Sequence, residues 1–146
     1  MFFLKIILLY FFFSEHNSYP SEISTQTISV GINQSLYDFE FTNKVIEYFK
    51  MEDKRKEIYE LKKEGFYRTE LIFTIKFSID KKIEISEIIK MTKKKRKSIY
   101  KIADEYGYNS KENFLKSIEI RKKIESEIDD LRKLEKIIKK EFLDEK

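Results

Sequence analysis

The chain has 146 residues, with 30 Lys and Arg against 26 Asp and Glu, one His, three Gly, one Pro, and neither Cys nor Trp. That length supports one core, and the lack of cysteine excludes disulfides, thiolate metal sites and a thiol nucleophile. The glycines stand far apart, so no phosphate-cradling loop can be written, and the lone His16 cannot build a multi-histidine metal site.

The first 13 residues, MFFLKIILLYFFF, are nearly continuous hydrocarbon broken only by Lys5. They are too short to cross a bilayer as a helix, which takes roughly 20 residues, but they suit the apolar region of a secretory signal. A buried core segment fits the same residues, and Met51 would serve as an alternative start. From Ser14 to Ser35 the chain is rich in Ser, Thr, Asn and Gln, with Pro20 and Gly31, and reads as a polar linker with a short strand at Thr27–Val30. Asn33-Gln34-Ser35 is a formal glycosylation acceptor, relevant only after secretion.

A helix is expected from Leu36, with Phe39, Val45, Ile46 and Phe49 as its apolar positions, followed by a charged helix from Met51 that stops at Gly65. Residues 66–79 fit two periods. Leu71, Phe73, Ile75, Phe77 and Ile79 alternate as in a strand, whereas Tyr67, Leu71, Ile75 and Ile79 recur at four as on one helix face. Helix is preferred, because the next segment needs a helix before it, and Asp80-Lys81-Lys82 should form the turn.

The basic excess is concentrated in the middle of the chain. Residues 51–109 hold 16 basic and 11 acidic side chains, and Lys90, Lys93, Lys94, Lys95, Arg96, Lys97 and Lys101 follow one another with no carboxylate between them. Such a focused patch predicts an anionic partner. Ile85, Ile88 and Ile89 form one apolar face, and Ile99, Ile102, Ala103 and Tyr106 form another at helical spacing.

Residues 85–106, ISEIIKMTKKKRKSIYKIADEY, resemble a helix-turn-helix of the resolvase and small-repressor type. Ile85-Ser86-Glu87-Ile88-Ile89-Lys90-Met91-Thr92 matches its first helix, and Arg96, Ser98, Ile99, Tyr100, Lys101 and Ile102 match its recognition helix. The register puts Lys93, Lys94 and Lys95 in the turn, where the family carries Gly, a buried apolar residue and a Ser or Thr cap. The resemblance implies DNA binding, with Arg96, Lys97 and Tyr100 facing the groove. Lys95 and Lys101 would lie beside them, and Lys90, Lys93 and Lys94 would hold the phosphates. Two other readings stand beside it: one unbroken helix from Glu84 to Tyr106 carrying a solvated basic patch, and a nuclear-localisation cluster at Lys93–Lys97.

Gly107 should end the preceding helix, with Asn109 and Glu112 forming a capping box for the next. From Ser110 to Phe142 there is no Pro or Gly. Ser117, Ile124, Leu131 and Ile138 repeat at seven, with Ile120 and Leu134 between them, but Glu127 and Glu141 interrupt the coiled-coil seam. The helix therefore packs as an arm or pairs two copies into a homodimer through residues 110–142.

The expected fold is mainly α: a small helical domain at 36–109 with a central helix-turn-helix-like unit, then a long amphipathic helix at 110–146. The expected function is non-enzymatic nucleic-acid binding with no cofactor, in the cytoplasm or nucleus. The alternative is a secreted or membrane-associated helical interaction protein whose basic run meets acidic lipid or an acidic partner.

Overall fold

The computed structural model describes the backbone of residues 25–143 and the side chains of residues 34–142. The apolar segment 1–13 and His16 lie outside the described residues. The chain divides into two compact units, residues 1–39 and 40–146.

Among the described residues all regular structure is helical. The elements are α1 (Thr25–Tyr48), a 3-10 turn at Glu52–Lys54, α2 (Arg55–Lys63), α3 (Thr69–Lys81), α4 (Ile85–Lys95), α5 (Ile99–Glu105) and α6 (Ser110–Leu143). The fold is mainly α with a long C-terminal helix, as the sequence predicts. The expected strand at Thr27–Val30 is absent, and residues 25–35 are helix rather than linker. Ser, Thr, Asn and Gln are only mildly unfavourable inside a helix, and each residue added to an existing helix gains a hydrogen bond without a new nucleation cost.

In the second unit α3 is the centre of the core. Leu71, Ile72, Phe73, Ile75 and Phe77 are each at most 1% exposed. A helix buried on nearly every side has no polar face to mark its period, which is why residues 71–79 also read as a strand. The most extensive packing is between α3 and α6. Around α3 the core is completed by Val45 and Ile46 of α1, Ile58 and Leu61 of α2, Ile88 of α4, Ile102 of α5, and Ile124 of α6, all buried. Polar groups in this core are satisfied locally: Thr74 Oγ1 donates to the Glu70 carbonyl at 2.7 Å, and Ser117 Oγ to the Asn113 carbonyl at 2.7 Å.

Four connections share one stopping device. Met51 N–H donates to the Ile46 carbonyl, Phe66 to Leu61, Ile83 to Ser78 and Tyr108 to Ala103, at 2.9–3.1 Å. Each of these donors follows a left-handed residue, respectively Lys50, Gly65, Lys82 and Gly107. This six-to-one bond with an apolar residue after the left-handed position is the Schellman arrangement. Lys82, not Asp80 or Lys81, is thus the turn residue after α3, and α3 continues through Lys81.

The bend between α4 and α5 differs from its predicted form. α4 runs unbroken through Lys93, Lys94 and Lys95, and the chain turns at Arg96-Lys97-Ser98. The turn expected at Lys93–Lys95 is therefore displaced by three residues, and the unbroken helix from Glu84 to Tyr106 is also overturned. The physical reason lies in the caps. Arg96 takes the left-handed conformation, with φ 50°, while its N–H still donates to the Thr92 carbonyl at 3.1 Å. Ser98 is extended, and its side chain accepts from the Lys101 N–H at 3.4 Å, opening α5.

Candidate nucleic-acid interface

The bend is held from inside by apolar contacts. Ile85, Ile88 and Ile89 of α4 and Ile99, Ile102 and Ala103 of α5 are buried, so both helices turn their opposite faces to solvent. Burying a side chain of this size contributes on the order of 2 kcal/mol, which fixes the two helices on the core despite their shortness. The outward faces carry Lys90, Lys93, Lys94, Lys95 and Lys101, the turn between them carries Arg96 and Lys97, and each of the seven is exposed.

These seven cations fall into two groups. Lys93 Nζ pairs with Glu64 at 2.7 Å, and Lys95 and Lys97 both pair with Glu105. Between them the Glu105 carboxylate is held down at about 2, first by the hydrogen bond from Lys97 and then by that from Lys95. Lys95 is raised by the same carboxylate, and its ammonium also lies 5.9 Å from the Tyr106 ring centre. By contrast Lys90, Lys94, Arg96 and Lys101 make no ion pair among the described residues. Glu64 and Glu105, the two carboxylates that pair with these cations, escaped the sequence reading because one is distant in the chain and the other lies past the basic run.

Tyr100 is placed differently from the groove-facing position that the resemblance implies. Its ring packs edge-on between Phe73, at 4.7 Å between centroids, and Phe114, at 5.5 Å. It is half-buried, and its phenol is pushed up by that burial and then by the nearby Glu70 charge. Its ring therefore joins α5 to α3 and α6. Arg96 lies in the turn itself and Lys97 beside it, before the first residue of α5, so both stand at the mouth of the bend and not along a recognition helix.

Next to the bend is an open cleft of about 240 Å³, lined by Glu64, Phe66, Glu70, Lys93, Lys97 and Ser98. It mixes both charges, and Glu70 there is raised by burial. A second polar cluster lies on α3 and the start of α6. Lys76 Nζ donates to Asp80, Tyr108 and Asn113, and the Tyr108 hydroxyl donates to Asp80 at 2.7 Å. Burial raises the Asp80 carboxyl, and the hydrogen bonds from Lys76 and Tyr108 outweigh it and leave a net lowering. This cluster is internally satisfied and locks Tyr108 after the Gly107 turn.

Among the described residues no group of three or more His, Asp or Glu side chains is arranged to hold a metal ion, and no helix is long and apolar enough to cross a membrane. Comparison of the chain with protein-family models, curated proteins and solved structures gives no match.

Proposed function

We propose that the protein is a non-enzymatic nucleic-acid-binding protein that engages duplex DNA through the outer surface of α4, the Arg96–Ser98 turn and α5. The observation that carries this reading is the set of exposed cations at one bend, four of them without a carboxylate partner among the described residues: Lys90, Lys94, Arg96 and Lys101. Neutralising phosphates with such side chains releases condensed counterions, which is the main source of sequence-independent affinity. Arg96 is the residue able to take the two acceptors of a guanine edge, because its guanidinium presents paired donors. Lys93, Lys95 and Lys97 are already engaged by Glu64 and Glu105, so each would have to exchange a carboxylate for a phosphate and add less.

The test is fluorescence anisotropy with a labelled duplex, comparing the wild type with a Lys94→Glu, Arg96→Glu, Lys101→Glu variant. The three side chains are exposed and make no ion pair among the described residues, so the variant should keep the circular dichroism and unfolding midpoint of the wild type. Affinity should fall by about a hundredfold or more at low salt. Unchanged binding by the variant would refute the assignment.

A further inference from the structure

The cleft beside the bend has chemistry of its own. It is formed where the connection from α2 to α3 and the first turn of α3 meet the end of α4 and the Arg96–Ser98 turn. Its volume of about 240 Å³ falls below the range of about 300–1,000 Å³ that holds drug-sized ligands, so it suits a smaller molecule.

The charged residues that line it are not equivalent. Glu64 and Lys93 satisfy each other at 2.7 Å. Glu70 is half-buried, its carboxyl is raised by that burial, and its carboxylate has no ion pair or hydrogen bond among the described residues. Such a group keeps a desolvation cost that an ammonium seated beside it would offset. Lys97 gives one donor to Glu105, and an ammonium has three. Ser98 Oγ accepts from the Lys101 N–H, and its own O–H has no acceptor among the described residues. Phe66 and Ile99, both buried, add hydrocarbon to the lining. The cleft thus holds an unmatched carboxylate, unmatched donors and an apolar wall. The free cations of the bend disfavour a ligand that is only a cation, and Glu64 and Glu70 disfavour one that is only an anion, which leaves a molecule carrying one charge of each sign.

We propose that this cleft binds a small zwitterion of the amino-acid class, with its ammonium on Glu70, its carboxylate on Lys97 and Ser98, and the hydrocarbon between them against Phe66 and Ile99. The site does not depend on duplex binding, and its test contains no DNA.

The experiment is titration of the full chain followed by backbone amide NMR shifts, with four probes of one chain length. Norleucine and ε-aminohexanoate are isomers that differ in the separation of their two charges. Hexanoate lacks the ammonium and hexylamine lacks the carboxylate. One of the two isomers should give saturable shifts centred on Phe66, Glu70, Ser98 and Ile99, and the preferred isomer reports the spacing of the two charge sites. Hexanoate should bind about tenfold more weakly, since it forgoes a charged hydrogen bond to a half-buried group. Hexylamine should lose severalfold, because Lys97 is exposed. Glu70→Gln should bind the preferred isomer no better than hexanoate, and Lys97→Met should bind it no better than hexylamine. Each of these cancellations tracks one charge, which a general loss of structure does not reproduce, and both variants should keep the circular dichroism of the wild type. Failure of both isomers to give saturable shifts, shifts centred elsewhere, a single-charge probe that binds as tightly as the better isomer, or variants that bind as the wild type does would each overturn the proposal.

Discussion

Replacing Arg96 by glycine should separate stability from binding. Arg96 adopts φ 50°, where a side chain meets the backbone and costs on the order of 1 kcal/mol, a cost that glycine does not carry. Its guanidinium has no ion pair among the described residues, and its N–H bond to Thr92 survives in any variant. Glycine loses part of the gain through the greater freedom of the unfolded chain, about 0.5 kcal/mol, so the net stabilisation over wild type is about 0.5 kcal/mol. Arg96→Ala is the sharper reference, because it removes the same charge and keeps the β-carbon. Arg96→Gly should exceed Arg96→Ala by the same net amount, about 0.5 kcal/mol, or roughly 1–2 °C in Tm for a chain of this size. The assay is urea unfolding followed by far-UV circular dichroism, with the duplex titration run on the same samples. Both variants should bind DNA more weakly to the same degree, each losing about 0.9 from the salt slope. An alanine variant as stable as the glycine variant would refute the strain assigned to this turn. A glycine variant that binds as well as wild type would refute the role assigned to the side chain.

Four further outcomes follow from the same geometry. Gly65→Ala and Gly107→Ala should each destabilise by about 1 kcal/mol in urea melts, since both glycines have positive φ while open space surrounds the added methyl group. Phe77→Ala should cost about 3–5 kcal/mol, because this ring is fully buried and packs edge-on against Tyr106 and at a tilt against Tyr108. Glu105 has its folded value depressed to about 2, so its contribution is present above the ordinary carboxylate range and fades as pH falls toward 2. Carboxyl-detected NMR should show that late titration in the wild type, and substitution of Lys97 by Met should move it back up toward the ordinary carboxylate range. Asp80→Asn should destabilise by about 1 kcal/mol at neutral pH and narrow the difference as acid protonates the wild-type group, whose net shift is downward.

The helical class and the long C-terminal arm were legible because the relevant signals are local. Gly107 with the Asn109 cap marks the start of α6, and the Asn109 side chain does accept from the Glu112 N–H at 3.1 Å. Glu112 itself turns to Lys116 and does not close the reciprocal half of the box. The stops at Gly65 and Gly107 could be read, and so could a turn within Asp80–Lys82, but lysine gives no hint that Lys82, or Lys50 earlier in the chain, is the left-handed residue. The apolar residues after them, Met51 and Ile83, were the only trace of the Schellman bond.

At the bend the resemblance fixed attention on Lys93–Lys95, yet Ser98 directly before Ile99 was the better signal for the start of α5. The inward position of Tyr100 depends on Phe73 and Phe114, which are distant in sequence, and the pairing of Lys93 depends on Glu64 in another helix. Neither relation has a local signature. The start of α1 was missed for the opposite reason: polar residues from Thr25 onward resemble a linker in composition, but composition does not forbid the extension of a helix.

The most direct test of the account is the salt dependence of wild-type binding to a DNA duplex. Four unpaired cations at the bend predict that log affinity falls against log salt with a slope of about −3 to −4. A slope near zero, or a steep slope that persists after Lys94, Arg96 and Lys101 are reversed to glutamate, would contradict it.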